Sequence, residues 1–331
     1  MTRYDAVVIG GGMAGLPLAL KLGFKGRSVA LIERDQLGGT CLNRGCIPTK
    51  TLIASARVAH LAREAAQWGI HAGPVRVSLP EVMQRKNDLV TSVRQGAEAN
   101  VDRNSNVTLI RGEARFTGPH ALDVNGESIE AAQVFINTGT RPAMPGIAGL
   151  EDVPFLDSTS ALQLTELPGH LLVVGGGYIG VEYAQMYRRF GSEVTLVQRA
   201  PHLLSDEDED IARALEHAFT QEGITILTGA AATAVTGVEG QLRLTVRIDG
   251  AERILEGSHL LIAVGRQPNT DGLNLTAAGV AVDAQGFIPI NDRLETNVPG
   301  IWALGDVRGG PMFTHTARDD ARVVYENVTK H

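Results

Sequence analysis

The chain has 331 residues, more than one ordinary hydrophobic core contains, and this length predicts two or three domains. Hydrophobic residues make up 44% of the sequence and charged residues 20%, as in globular proteins. A net charge of −7 argues against a nucleic-acid-binding protein, and no apolar run approaches the roughly 18 residues that a membrane-spanning helix needs. We therefore expect a cytoplasmic protein with no nucleic-acid or membrane partner.

A glycine-rich turn follows the first predicted strand. The strand is Tyr4 to Ile9, the turn is Gly10-Gly11-Gly12-Met13-Ala14-Gly15, and an apolar helical pattern continues to about Leu22. The next strand, Ser28 to Ile32, leads to Glu33, near the offset of about 20 residues at which an acid binds a ribose hydroxyl. Glycines let the backbone approach a pyrophosphate, and a helix N-terminus offers N–H groups to it. This context favours a dinucleotide site over a structural turn, with the candidate residues Gly10, Gly12, Ala14, Gly15 and Glu33.

Both cysteines of the chain, Cys41 and Cys46, lie in the segment from Gly38 to Lys50. On a regular helix, positions five apart are too distant and too divergent for the Cα separation of roughly 4.4–6.8 Å that a disulfide requires. A bond between them would need a distorted backbone, which Gly45 tolerates. We predict that the pair lies at the strained start of a helix that runs from about Ile47 to Ala66.

Four interpretations of the cysteine pair compete. Zinc is disfavoured because the chain offers no second cysteine pair and no closely spaced histidine pair as further ligands. Inert core cysteines and a structural disulfide are the two non-catalytic alternatives. A disulfide that closes so small a ring, however, removes little entropy from the unfolded chain. A redox-active pair explains the spacing better, and two cysteines in a reducing compartment also fit catalytic use. We predict no metal site.

The next stretch carries no chemistry that the sequence reveals. Leu79 to Asp102 has a helical pattern, while Val107 to Phe116 and Ala121 to Ala131 are strand-like segments. They are predicted to complete the first folding unit. Further on, the acidic run from Asp206 to Asp210 is predicted to be the solvated start of a helix.

The strand–turn–helix pattern recurs in the second half of the chain. A strand from Leu171 to Val174 precedes Gly175-Gly176-Gly177-Tyr178-Ile179-Gly180, a helix follows to about Phe190, and the next strand is Glu193 to Val197. Gly10 to Glu33 and Gly175 to Gln198 both span 23 positions, so the two copies keep the same register. The repeat predicts a second dinucleotide site. Its candidate residues are Gly175, Gly177, Tyr178, Ile179, Gly180, Gln198 and Arg199.

The cysteine segment and the two glycine turns resemble those of the class I pyridine nucleotide-disulfide oxidoreductases, such as dihydrolipoamide dehydrogenase, glutathione reductase and mercuric reductase. The resemblance implies an α/β fold of the three-layer sandwich type, with two Rossmann-like dinucleotide-binding domains. Similar strand-and-turn segments at 136–142 and 262–268 look like the crossings between domains. The implied FAD-binding domain therefore begins in residues 1–142, an NAD(P)-binding domain is inserted at 143–271, and the chain returns to the FAD domain at 272–331.

The resemblance also implies the cofactors and further site residues. The apolar strand that ends at Gly305-Asp306 resembles the second flavin motif of the family, whose Asp binds the ribityl chain, so the first site is expected to hold FAD rather than NAD. An ordinary strand-ending turn is the alternative for this segment. The other implied cofactor-binding residues are Gly39, Thr40, Lys50, Thr138, Gly139, Val264, Gly265, Thr314 and His315.

By the same resemblance, NAD(P)H docks on the second turn and transfers a hydride to the flavin, which reduces a Cys41–Cys46 disulfide. Cys46 is implied to be the sulfur nearer the flavin, and Cys41 the one that exchanges with an outside substrate. Lys50 and Glu182 match the ion pair beside the flavin, where two unrelated surface charges are the alternative. Tyr178 matches the ring that covers the nicotinamide pocket in glutathione reductase.

The choice between NADPH and NADH depends on the residues that follow the strand from Glu193 to Val197. Where an NAD site usually carries an acid, this chain has the neutral Gln198, followed by Arg199, and this favours NADPH. The second arginine of phosphate-binding relatives is replaced by Ser205, so we expect a mild NADPH preference with use of both cofactors.

Two departures from the family bear on function. Arg44 stands between the cysteines where many relatives have valine, and its guanidinium could lower a thiol pKa or attract an anionic substrate, with an exposed salt bridge as the alternative. The C-terminal dimerisation domain of the relatives, which donates a base to the partner's disulfide, has no counterpart in the sequence. We therefore expect diaphorase activity with poor disulfide turnover, and a monomeric or irregularly associated chain in a family of homodimers.

The acceptor of the electrons is open at the level of sequence. A small-molecule disulfide, a metal ion or a quinone would each fit. The alternative from another functional class is a flavin-binding redox sensor that reports oxidant through the same two cysteines without sustained turnover.

Overall fold

The structure, a computed structural model, describes residues 2–330. The strands are, in chain order, β1 (Thr2–Ile9), β2 (Val29–Glu33), β3 (Val107–Arg111), β4 (Ala114–Gly118), β5 (Ala121–Val124), β6 (Glu127–Ile136), β7 (Thr140–Pro142), β8 (His170–Val174), β9 (Glu193–Val197), β10 (Thr225–Leu227), β11 (Ala231–Val238), β12 (Gln241–Ile248), β13 (Ala251–Gly257), β14 (His259–Ile262), β15 (Arg266–Pro268) and β16 (Ile301–Ala303). The helices are α1 (Gly15–Phe24), α2 (Gly39–Asn43), α3 (Cys46–Glu64), α4 (Leu79–Asp102), α5 (Tyr178–Phe190), α6 (Glu209–Gln221), α7 (Leu275–Ala278) and α8 (Thr314–Thr329). Over residues 2–330, no helix combines the length and the apolar character needed to cross a membrane.

The chain forms two compact units. Unit 1 contains the chain up to Asn43, residues 90–141 and the chain from Arg266 onward, and unit 2 contains residues 44–89 and 142–265. The functional boundaries predicted after residues 142 and 271 stay predictions, because compactness does not identify a cofactor.

Unit 1 is built on a mostly parallel sheet with strand order β3-β2-β1-β6-β5-β4, and β16 pairs with β6. Successive side chains of a strand point to opposite faces, so Ala6 and Val8 join one core cluster while Val7 and Ile9 join the other. Burial on both faces accounts for the continuous apolar run of β1. The carboxyl ends of the central strands lie side by side, because Ile9 is in register with both Ile32 and Ile136.

Unit 2 contains a parallel sheet with strand order β10-β9-β8-β14 and an antiparallel sheet with order β11-β12-β13. Leu171 and Val173 of β8 belong to one core cluster, and Leu172 and Val174 to another. Val174 is in register with Val197 of β9 and Ile262 of β14, so these carboxyl ends also meet at one edge. The predicted α/β class is confirmed.

The strand-like segments predicted between residues 107 and 131 are strands in the structure, which adds their division. The segment from Val107 to Phe116 contains β3 and the start of β4, which are separated around Gly112. The segment predicted from Ala121 to Ala131 is a hairpin of β5 and β6. Its turn is Asn125-Gly126, and both residues have positive φ angles, 54° and 85°, as the type I′ hairpin turn requires.

The helices near the cysteines also differ in detail from the prediction. The helix predicted from about Ile47 begins one residue earlier and ends at Glu64, where a 3₁₀ turn (Ala65–Trp68) follows. The short helix α2, which contains Cys41, was not predicted. The predicted helix start in the acidic run is present, since α6 begins at Glu209.

Candidate active site

The first glycine turn joins β1 to α1 in unit 1 and is in close contact with the neighbouring backbone at Asn137. Gly10 has a φ of +102°, and a Cβ atom built on it would overlap the carbonyl oxygen of Asn137. A Cβ on Gly15 would overlap the carbonyl oxygen of Gly10. Only glycine therefore allows the strand, the turn and the helix to approach so closely.

Glu33, at the end of β2, is bound to this turn through its carboxylate. Its Oε2 accepts a hydrogen bond from the Gly11 N–H at 2.8 Å, and its Oε1 accepts one from the Asp35 N–H at 2.8 Å. The residue is 9% exposed. The predicted ribose-binding acid is thus held in one orientation beside the glycines.

The start of α2 touches the same turn. The Gly38 N–H donates to the Gly11 carbonyl at 2.8 Å, and Gly39 has a φ of +61°. A Cβ on Gly39 would lie 2.7 Å from the Cα of Gly12, so the two backbones are in close contact. The exposed Thr40 and the half-buried Cys41 follow directly on α2.

Two further strand ends complete the site in unit 1. The Asn137 side chain, just after β6, donates from Nδ2 to the Gly10 carbonyl at 3.0 Å. A Cβ on Gly305, just after β16, would lie 2.9 Å from Asn137 Oδ1 and 4.0 Å from Ala14 Cβ. The structure therefore brings Thr138, Gly139, Gly305 and Asp306 to the edge that carries the first glycine turn.

Asp306 is held at its backbone and at its side chain. The neighbouring Gly305 N–H donates to Asp320 Oδ2 at 2.8 Å, and Asp320 in turn forms a two-point ion pair with Arg308, at 2.7 and 2.9 Å. The Thr140 hydroxyl donates to Asp306 Oδ2 at 3.1 Å.

The second glycine turn repeats this geometry in unit 2. A Cβ on Gly175 would overlap the carbonyl oxygen of Ala263, and one on Gly180 would overlap the carbonyl oxygen of Gly175. The Gly176 N–H donates to Gln198 Oε1 at 3.2 Å, which is the counterpart of the bond between Gly11 and Glu33. Two turns whose sequences share only glycines thus form the same set of contacts.

The residues around the second turn leave room for a bound molecule. A Cβ atom added at Gly177 would meet nothing within 4 Å, and the φ of −77° is open to any residue, so the protein itself does not account for this glycine. The space around Gly265 is equally open, although its φ of +136° by itself favours glycine. Gly177, Tyr178, Arg199, Val264 and Gly265 are exposed, and Ile179 is half-buried. An open cradle beside the N-terminus of α5 fits an anionic pyrophosphate.

Tyr178, the first residue of α5, is bonded to the loop that follows β9. Its hydroxyl donates to the Glu207 carboxylate. This hydrogen bond to a carboxylate raises the pKa of Tyr178, and partial desolvation and the charges of Glu207 and Asp206 act in the same direction. The ring is 45% exposed, so it lies at the surface next to the turn.

Lys50 and Glu182 form the predicted ion pair. Lys50 Nζ contacts Glu182 Oε1 between α3 and α5, within unit 2. Beneath this pair, the Thr49 and Tyr183 hydroxyls lie 3.5 Å apart, and Tyr183 donates to the Ser158 carbonyl at 2.6 Å. Burial raises the pKa of Tyr183, which therefore stays a neutral donor. The position of the pair beside a flavin stays a prediction.

The two cysteines occupy different positions. Cys41 is half-buried on α2 in unit 1, whereas Cys46 is exposed and is the first residue of α3 in unit 2. Cys46 thus stands at the N-terminus of α3, where the helix end carries a partial positive charge.

Elsewhere in unit 1, Thr314 begins α8, and the exposed His315 ring stacks on Phe313 with 5.3 Å between the ring centroids.

The sequence did not reveal four of the residues that shape these sites. Asn137 and Thr140 stand next to the predicted Thr138 and Gly139, but their partners are distant in sequence. Glu207 lies in the predicted acidic run, and Tyr183 lies within the helix predicted up to about Phe190, but nothing in the sequence distinguishes either residue. The one local signal is that Asn137, Thr140 and Tyr183 each adjoin a predicted site residue.

The donor sets fit an FAD in unit 1 and a nicotinamide dinucleotide in unit 2. Each has a glycine turn at a helix N-terminus for a pyrophosphate, and unit 1 adds the fixed acids Glu33 and Asp306 for ribose and ribityl hydroxyls.

The sequence and the structure were compared with those of known proteins. Mercuric reductase from Bacillus cereus is 40% identical over 98% of this chain, and dihydrolipoyl dehydrogenase from Chlamydia pneumoniae is 36% identical over 99%. The chain spans 52% of the length of the first relative and 71% of the second. The structure of the HOCl-induced flavoprotein disulfide reductase RclA from Escherichia coli matches 98% of this chain and 71% of its own, with 39% identity and a TM-score of 0.88.

The family profile described as pyridine nucleotide-disulphide oxidoreductase matches residues 4–321, which include both glycine turns, both cysteines and Asp306. Members of this family use FAD and NAD(P)H. With nearly the whole sequence covered by the profile, the chain belongs to the pyridine nucleotide-disulphide oxidoreductase family.

Proposed function

We propose that the chain is an FAD-dependent NAD(P)H oxidoreductase that reduces a disulfide formed by Cys41 and Cys46 and passes the electrons to an outside acceptor. The observation that carries the proposal is the repeated turn geometry, in which Gly11 bonds Glu33 and Gly176 bonds Gln198. Two such turns, together with one closely spaced cysteine pair, account for two dinucleotides and one electron acceptor.

In this proposal unit 1 holds FAD and unit 2 holds NAD(P)H. FAD is held by the first glycine turn, Glu33, Thr138, Gly139 and Asp306, with Gly39, Thr40, Thr314 and His315 nearby. The nicotinamide cofactor is held by the second glycine turn, Gln198, Arg199, Val264 and Gly265, and Tyr178 lies over its docking site. When bound, NAD(P)H supplies a hydride and FAD relays its two electrons.

The residues of the chain then control the sulfur chemistry. Cys46 is favoured as a thiolate because it begins α3, and Cys41 exchanges with the acceptor. Lys50 and Glu182 hold each other so that the lysine charge has a fixed position. In the net reaction, one NAD(P)H and one proton reduce one disulfide to two thiols, and NAD(P)⁺ is released.

The acceptor belongs to the class of disulfides, metal ions or quinones. Relatives named mercuric reductase and dihydrolipoyl dehydrogenase support a metal ion or a dithiol–disulfide couple. Dyes need only a reduced flavin, so the proposal also includes diaphorase activity. Use of both cofactors, with a mild preference for NADPH, follows from Gln198 and Arg199.

The test is made on one preparation of the 331-residue chain. After incubation with FAD and desalting, we expect a visible flavin band in stoichiometric amount, and NADPH should then sustain dye reduction over many turnovers. A chain that keeps no flavin after desalting would refute the proposal. Retained flavin that is reduced once, without continued dye turnover, would instead favour a redox sensor.

A further inference from the structure

A one-way chain of hydrogen bonds leads to Asp306 from the start of β15. Arg266 Nε donates to Thr140 Oγ1 at 2.7 Å, and Thr140 Oγ1 donates to Asp306 Oδ2 at 3.1 Å. Arg266 Nη2 also donates to the Thr140 carbonyl at 2.8 Å. All three residues belong to unit 1.

The direction of this chain follows from the chemistry of its members. A guanidinium has only donors, so the Thr140 oxygen must act as the acceptor of the bond from Arg266. The single hydroxyl proton of Thr140 is then available for Asp306, whose carboxylate accepts it. Thr140 is 5% exposed, so a misdirected hydroxyl at this position would be costly.

The arrangement defines what the other carboxylate oxygen of Asp306 can do. Oδ2 is engaged by Thr140, and Oδ1 accepts no hydrogen bond from the protein over residues 2–330. The Asp306 backbone is fixed as well, because Gly305 is bonded to the buried Asp320. Asp306 is therefore an acceptor with one committed oxygen and one oxygen left for a ligand that donates a hydroxyl proton.

We propose that Thr140, oriented by Arg266, is a positioning residue that holds Asp306 ready for a hydroxyl of the flavin's ribityl chain. This inference rests on the proposed function, in which Asp306 contacts FAD. Thr140 and Arg266 themselves act through Asp306. Their effect should appear in the affinity for the ribityl part of the cofactor and not for its adenosine part.

The test compares FAD with ADP as probes of the apoprotein. ADP matches the part of FAD that the first glycine turn and Glu33 would hold, and it has no ribityl chain. We expect Thr140→Val to raise the dissociation constant for FAD about tenfold, which corresponds to one lost hydrogen bond to a charged group. The ADP dissociation constant should stay within about twofold, and Thr140→Ser should restore FAD binding, because only the hydroxyl is required.

The matched control is Thr270→Val. The Thr270 hydroxyl donates to the Gly286 carbonyl at 2.8 Å in the same unit and does not contact Asp306. This variant should lose a comparable hydrogen bond and keep the wild-type affinity for FAD.

Two results would overturn the positioning role. One is a Thr140→Val protein that binds FAD as tightly as the wild type. The other is an equal loss of FAD and ADP binding, which would indicate general damage to unit 1. Failure of the wild-type chain to bind FAD, with ADP bound normally, would instead refute the FAD assignment on which the inference rests.

Discussion

The Gly176 N–H donates to Gln198 Oε1 at 3.2 Å, and Gln198 Nε2 donates to the His202 carbonyl at 3.3 Å. The amide is thereby held by an acceptor contact on one side and a donor contact on the other. In the first turn both oxygens of Glu33 are acceptors. The two sites share a backbone arrangement and differ in charge, because the side chain that accepts from the turn is the acid Glu33 in the first site and the neutral Gln198 in the second.

This relationship predicts the effect of Gln198→Glu. The new carboxylate keeps the acceptor for Gly176, loses the donor to His202 and places a negative charge beside a 2′-phosphate. We expect the ratio of kcat/KM for NADPH to that for NADH to fall about tenfold or more, equivalent to at least about 1.4 kcal/mol. Steady-state kinetics with both cofactors give this ratio, and an unchanged ratio would exclude Gln198 from the ribose site.

Arg199→Ala tests the other half of the cofactor preference. Arg199 is exposed, so a single ion pair with a phosphate is expected to contribute about 0.2–1 kcal/mol, which corresponds to at most about fivefold. The NADPH-to-NADH ratio should fall by that factor and should become insensitive to added salt. Arg213→Ala, which removes an exposed arginine from α6 in the same unit, is the control and should leave the ratio unchanged.

Gly177→Ala separates a requirement of the cofactor from a requirement of the fold. An added Cβ meets nothing within 4 Å, and the φ of −77° is open to any residue, so the free energy of unfolding should change by less than about 1 kcal/mol. The KM for NAD(P)H should nevertheless rise, because the methyl group occupies space where the pyrophosphate approaches the backbone.

Two glycines provide the comparison for this prediction. Gly146→Ala, at an equally open position in the same unit, should change neither stability nor KM. Gly180→Ala should unfold or strongly destabilise unit 2, because its Cβ would overlap the Gly175 carbonyl. If Gly177→Ala had a normal KM, the open space would have no role in cofactor binding.

Lys50 and Glu182 should matter far more for activity than for stability. Their side chains are 59% and 34% exposed, so the pair itself should contribute no more than about 1 kcal/mol to the free energy of unfolding. We expect Lys50→Met and Glu182→Gln to lower kcat for dye reduction by at least about tenfold, equivalent to 1.4 kcal/mol of activation free energy, and the double variant to be little worse than either single one. Arg213→Ala, which breaks an exposed ion pair with Glu209, is a control for loss of a surface contact. If the variants had a normal kcat, the ion pair would be only a surface contact between α3 and α5, with no role in the reaction.

The glycine turns and the polar residues that bind them, Glu33 and Gln198, could be predicted from sequence because the pattern that indicates them lies within one short segment. Glycine spacing, a preceding apolar strand and a polar residue 23 positions on are all visible in one stretch of chain. The bonds of Asn137 to Gly10 and of Thr140 to Asp306 join residues 127 and 166 positions apart, and no local pattern encodes them. They arise because β1, β6 and β16 end at the same edge of one sheet.

Some local signals are present but do not fix the structure by themselves. Asn125-Gly126 is a typical hairpin turn, whereas the strand-like pattern from Ala121 to Ala131 does not show where one strand ends and the next begins. Helix α2 depends on the positive φ angles of Gly38 and Gly39, which a sequence of two glycines permits but does not require.

In the proposed function, electrons from NADPH pass beyond the flavin to the cysteine pair, and an anaerobic titration of the FAD-loaded chain with NADPH counts these electrons. The wild type should consume about twice as much NADPH per flavin as the Cys41→Ser, Cys46→Ser or double variant, because disulfide and flavin are each two-electron acceptors. Cys41→Ser should also keep a long-wavelength thiolate-to-flavin band that Cys46→Ser lacks. Equal NADPH consumption by the wild type and the double variant would show that the cysteines accept no electrons and would refute the proposed function.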